Sequence, residues 1–189
     1  MNFKRIVSIL ILPFLIGSIT ACSHDELKTP NQDLPSASAA STGCAAMDKV
    51  FEAEMKNSSA GREFLQAIAI EDKGDDMQKT EERSEKVLKT WLAFLADVKK
   101  EEPYKKLKDA AGDDPKAAKA LQSLDAYTDI VKKLTSGEVT QFPHEEEAKQ
   151  QLELGETPEE NPEFVRLQTE QVEHHNTLSE CMPSWPVTF

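Results

Sequence analysis

From Met47 onward the chain alternates apolar stripes at helical spacing with short polar, Gly or Pro breaks. Met47, Val50, Phe51 and Met55 recur at intervals of three and four, which places them on one face of a helix. NSSAG (57–61) interrupts that face, and Phe64, Leu65 and Ile68 resume it to about Glu71. GDD (74–76) then opens the strongest amphipathic stretch. Val87, Leu88, Trp91, Leu92, Leu95 and Val98 share one side of it, and Lys or Glu occupies the other. Pro103 is expected to end this helix, because proline cannot continue the hydrogen-bond ladder. A short turn with Tyr104 and Leu107 should lead to a break at Gly112.

The second half repeats the logic with clearer punctuation. Asp114 followed by Pro115 is the cap-and-proline signal of a helix start. Leu121, Leu124, Tyr127, Val131 and Leu134 carry the stripe, and Gly137 closes it. EVTQF (138–142) reads as a short extended piece, but one alternating run cannot build a sheet. A weakly apolar helix is expected from about His144 to Leu154, stopped by Gly155. Asn161-Pro162 repeats the start signal, and Phe164, Val165, Val172, Leu178 and Cys181 define the apolar face of the last helix. The predicted fold is all-α, a bundle or irregular array of five to seven helices.

The first 21 residues follow a different grammar. Lys4 and Arg5 precede the apolar run 6–19, which is shorter than the roughly 17 to 25 residues of a membrane-spanning helix. A positive start, a short apolar centre and small residues before the break make a secretory signal peptide. Its last residues, Ile19-Thr20-Ala21-Cys22, resemble the lipobox of bacterial lipoproteins. The resemblance covers the signal region only. It implies attachment of a diacylglyceryl group to the Cys22 sulfur, cleavage before that residue, and two or three acyl chains on the mature protein. At about 0.8 kcal/mol per buried CH2, several chains make a stable membrane anchor. Ser23 follows, where an aspartate would resemble an inner-membrane retention signal, so the expected destination is the outer membrane.

Three segments are therefore expected: a signal peptide (1–21), a lipidated cysteine with a flexible tether (22–43) and a single helical domain (44–189). The tether is rich in Ser, Ala, Pro and acids, and a coil of about 20 residues spans roughly 25 Å. Lipidation consumes Cys22 and leaves Cys44 and Cys181 as an even pair in an oxidising compartment, which predicts a disulfide between them. Closing a loop of 137 positions is worth on the order of 5 kcal/mol in a loop-entropy argument.

Charge narrows the partners. The formal net charge is −12, and cleavage removes Lys4 and Arg5 without removing an acid, so the mature chain carries −14. Such a surface repels nucleic acid and favours cationic partners or solubility. Sequence motifs for catalysis are lacking. His144-Glu145 begins like the zinc-protease HExxH, but position 148 is Ala rather than His. There is no GxSxG elbow and no phosphate-binding Gly-rich loop. The acids of 71–82 lack the glycine placement of a calcium loop, and Lys73 takes a ligand place. His174 and His175, near Glu170 and Glu173, lack the Glu-x-x-His spacing of di-iron bundles, and His175 reads as a half-buried, hydrogen-bonded residue at the apolar edge. Neither a metal nor a cofactor is expected.

The remaining feature is the acidic segment 145–163, with eight glutamates against one lysine. Glu145, Glu146, Glu147, Glu159, Glu160 and Glu163 form the candidate partner-binding surface, since charge speeds encounter and selects partners. These features together suggest a non-enzymatic, lipid-anchored outer-membrane protein whose periplasmic domain binds a protein. The first expected role is an immunity or inhibitor protein for a basic toxin or cell-wall hydrolase. The alternative is an assembly factor that resembles the pilotins, small helical lipoproteins that hold secretion-channel subunits. That likeness rests on size, helical pattern and anchor rather than on a matched motif.

Overall fold

A computed structural model describes residues 41–69 and 77–186. The expected signal peptide, Cys22, the expected tether up to residue 40 and the GDD opening at 74–76 lie outside the described residues. Seven helices and no strand occur among the described residues: α1 (Thr42–Asn57), α2 (Ser59–Ile68), α3 (Met77–Val98), α4 (Glu101–Ala111), α5 (Pro115–Ser136), α6 (Glu145–Glu153) and α7 (Pro162–Cys181).

Local chemistry explains most of the boundaries. Ser58 stands extended between α1 and α2, and its Oγ accepts a hydrogen bond from Gly61 N at 2.9 Å, capping α2. Asp114 caps α5 through Lys116 N at 2.9 Å, with Pro115 in the first helical turn. Asn161 does the same for α7 through Glu163 N at 3.0 Å, again followed by proline. Gly137, with φ 74°, closes α5 in the left-handed conformation that glycine adopts without strain.

The expected stop at Pro103 is not what the structure shows. Helix α3 already ends at Val98, and α4 begins at Glu101, so Pro103 lies inside the first turn of the next helix. The first N–H groups of a helix have no intrahelical partner, so a proline there removes nothing. Glu101 and Glu102 beside it favour the positive helix start. Tyr104 and Leu107, expected in a turn, are therefore helical, and Leu107 is fully buried.

Three smaller differences follow from packing. The expected tether reaches residue 43, yet α1 starts at Thr42, because Gly43 N donates to Asp114 Oδ2 at 2.9 Å across the fold. EVTQF forms no strand, although its Val139 is buried with Ile130 and Leu167. Val165 and Val172, expected on the packed face of α7, are 40% and 55% exposed. They lie seven residues apart and share a face roughly opposite Leu167 and Leu178, which meet the core.

Helices α5 and α7 form the most extensive pair, α2 packs on α3, and α1 packs on α4 and also touches α5 and α7. The core they enclose is built around aromatic rings. Phe51, Phe64, Trp91 and Phe94 are at most 1% exposed, and the chain after α7 folds back to add Met182 and Trp185. The Trp185 ring centroid lies 5.1 Å from Phe51, 5.1 Å from Trp91 and 5.2 Å from Tyr127, so one tail residue joins α1, α3 and α5. The predicted disulfide is present: Cys44 and Cys181, both buried, link the first turn of α1 to the last turn of α7. Asp48 adds a polar clamp, accepting from Ser184 N at 2.9 Å and from the Ser184 hydroxyl.

Candidate interaction surface

The acidic segment falls in the link between α5 and α7. It is an excursion rather than a layer of the bundle. Gln141 closes its base: its carbonyl oxygen accepts from Asn161 N at 2.7 Å, and its Nε2 donates to Glu160 Oε1 at 2.9 Å. Helix α6 stands inside this closed link and packs against no other helix among the described residues. Of its residues only Ala148 is buried. Gly155, with φ 76°, ends the turn after α6, and Glu156 N bonds back to Gln151 O at 2.8 Å. A helix of nine residues is too short to hold together by propensity alone, so the closed base and the burial of Ala148 fix it.

The six candidate glutamates divide into two groups. Glu145, Glu146 and Glu147 occupy the first turn of α6, where the helix dipole favours negative charge, and all three are exposed. Glu159, Glu160 and Glu163 lie on the return to α7 and are exposed as well. Glu160 is held by Gln141, and Glu163 lies 3.7 Å from Arg166, whose guanidinium also donates to Glu170. Two apolar side chains stand among them: Leu152 is 49% exposed and Leu154 76% exposed. The link therefore carries exposed leucines and exposed glutamates together, with Lys149 as its single lysine or arginine.

The histidines point elsewhere. His174 Nδ1 lies 3.2 Å from Ser123 Oγ, in an open groove of about 620 Å³ between α5 and α7, lined also by Lys119, Gln122 and Glu173. Glu170, four residues before His174, bonds Arg166. His175 is half-buried, and its Nδ1 accepts from Trp185 Nε1 at 3.2 Å. His144 is exposed at the start of α6. Among the described residues no group of three or more His, Cys, Asp or Glu side chains converges on a metal-sized point.

A second polar cluster ties α4 to α3 and α5. Tyr104 OH donates to Asp125 Oδ2 at 2.6 Å, and Lys99 Nζ lies 3.1 Å from the same carboxylate. Burial and the Asp125 carboxylate push the Tyr104 phenol up to about 12. Its role is to join helices, since the hydroxyl points at the carboxylate of a neighbouring helix rather than into a cleft.

The residues that organise the tail, Asp48, Ser184 and Trp185, carried no periodic signal. A tryptophan four positions after a paired cysteine was the clue that could have found them, because a disulfide fixes the nearby chain against the core. No protein family model, no curated protein and no solved structure matches the chain.

Proposed function

We propose that this protein is a lipid-anchored outer-membrane lipoprotein whose helical domain binds a basic protein in the periplasm, acting as an immunity or inhibitor protein against a toxin or cell-wall hydrolase. The observation that carries this reading is the α5–α7 link. Exposed Leu152 and Leu154 share this glutamate-rich link with exposed Glu145, Glu146, Glu147, Glu159 and Glu160, and α6 makes no close backbone contact with another helix among the described residues. A cationic partner gains twice from such a surface. Long-range attraction speeds encounter, and the leucines supply apolar area once the partner is close. The lipobox-like Ile19-Thr20-Ala21-Cys22 supports placing that surface beside the membrane, where an incoming hydrolase acts. The reading assigns the domain no catalysis of its own.

The test is kinetic. Association of the mature protein with a purified basic muramidase is measured by surface plasmon resonance at several salt concentrations, alongside inhibition of the hydrolase. Reversing Glu145, Glu146, Glu147 and Glu159 to Lys should slow association tenfold or more at low salt, with helix content unchanged. Added salt should slow the wild type in the same way, because exposed charges are screened over about 8 Å at physiological ionic strength. An association rate indifferent to both would reduce the segment to a solvated loop.

A further inference from the structure

Besides the Ser184–Asp48 clamp, the tail of the domain makes a hydrogen bond whose chemistry depends on a proton. Trp185 is 1% exposed at the centre of the aromatic core, and its indole N–H can only donate. The acceptor is His175 Nδ1 at 3.2 Å. That contact fixes the neutral imidazole as the tautomer with its proton on Nε2. His175 is half-buried, so its ring still exchanges protons with solvent.

We propose that His175 and Trp185 form an acid-sensitive latch: protonation of His175 at Nδ1 turns the acceptor into a donor and releases the Trp185 indole from the core. An imidazolium facing an indole N–H sets two donors against each other and leaves a buried donor without a partner, which a folded core does not tolerate cheaply.

The surroundings favour the neutral ring. From α5 the titratable group beside it is Tyr127, whose ring centroid is 6.4 Å away and whose phenol burial keeps protonated. From α1, Asp48 is engaged by Ser184. On α7 itself, His174 turns to Ser123, and Ser179 Oγ donates to the His175 carbonyl rather than to its ring. Burial lowers the His175 pKa below 6.5, and no neighbouring carboxylate counters it. The sign follows. A base with a depressed folded pKa stabilises the closed state above 6.5, and that contribution is lost as pH falls through the folded value.

The release is local, because the chain leading into Trp185 is tied down at two points. Cys181 anchors it covalently to α1 just before Met182, and the Asp48–Ser184 clamp lies one residue before Trp185. What opens is the indole site between Phe51, Trp91 and Tyr127.

The experiment follows the indole N–H resonances of the oxidised, 15N-labelled protein from pH 8 to pH 4.5, with far-ultraviolet circular dichroism in parallel. The Trp185 resonance should shift along a one-proton curve with its midpoint below 6.5 while helix content stays constant. His175→Gln keeps an acceptor oxygen without a titrating ring, and in that variant the resonance should stay fixed over the same range. If the variant fails to fold, imidazole 15N shifts of the wild type at pH 8 decide: Nδ1 must be unprotonated. A protonated Nδ1, a Trp185 resonance unmoved in the wild type, the same titration in His175→Gln, or loss of helix content with the same midpoint would each overturn the latch.

Discussion

Replacing Gly61 by Ala sets two opposed effects against each other at one site. Alanine in a helix interior is favoured over glycine by about 1 kcal/mol, so an exposed position would gain stability. Gly61 is buried in the first turn of α2, and a Cβ there would sit 2.2 Å from the Met55 carbonyl oxygen and 2.7 Å from its carbonyl carbon and Cα. All three atoms are backbone, so no side chain can rotate out of the way. The α1–α2 corner has to open, which loosens the Ser58 cap and displaces Phe64 from Trp91, whose ring centroid is 4.9 Å away. Overpacking typically costs about 1 to 3 kcal/mol and a lost cap about 1 kcal/mol. After subtracting the propensity gain, the net destabilisation is about 2 kcal/mol, or roughly 4 to 8 °C in melting temperature for a domain of this size. Gly155→Ala is the control. A Cβ there meets nothing within 4 Å, and its φ of 76° costs about 1 kcal/mol in backbone strain alone. Urea and thermal unfolding by circular dichroism measure both variants. Gly61→Ala as stable as the wild type would refute the close-approach argument.

The remaining predictions concern the disulfide, the phenols and the anchor. Replacing Cys44 and Cys181 by Ser should lower unfolding free energy by up to about 5 kcal/mol for the 137-residue separation, read as a fall in urea midpoint. An unchanged midpoint would mean that the aromatic core alone fixes the two ends. Near-ultraviolet titration of the folded protein should show little phenolate at pH 10, since Tyr104 is pushed up to about 12 and burial raises Tyr127. Because these folded values lie above the unfolded 10.0, the stability they contribute is complete below pH 10 and declines as pH rises towards 12. Ionisation of both tyrosines at their ordinary value would contradict the Tyr104–Asp125 contact. Cys22→Ser should abolish lipid labelling in cells and release the protein from membranes, and continued membrane fractionation would defeat the anchor assignment.

Much of the fold was written locally. Asp114-Pro115 and Asn161-Pro162 start α5 and α7 where the cap chemistry says they should, because a capping side chain acts within its own turn. The Cys44–Cys181 bond followed from parity and compartment, which require no geometry. The acidic run 145–163 was equally legible, since charge density is a property of composition. Other assignments needed the partner surfaces. Pro103 is equally compatible with the end of one helix and the first turn of the next, and the choice was made by Leu107 reaching the core from α4. Val165 and Val172 carry the apolar signal of a packed face, but a helix buries only the side its neighbours cover, and α5 covers the side with Leu167. Trp185 lies at the centre of the domain although no stripe contains it. A single residue on a returning tail has no period, and its place is set by contacts with α1, α3 and α5 that are distant in sequence. The sequence by itself thus determined helices, caps, charge and the covalent link, all of which arise within a turn or from counting. Only the tertiary structure decided which faces are buried, where the tail docks and which glutamates stand clear, because each depends on what a distant segment brings to the same point in space.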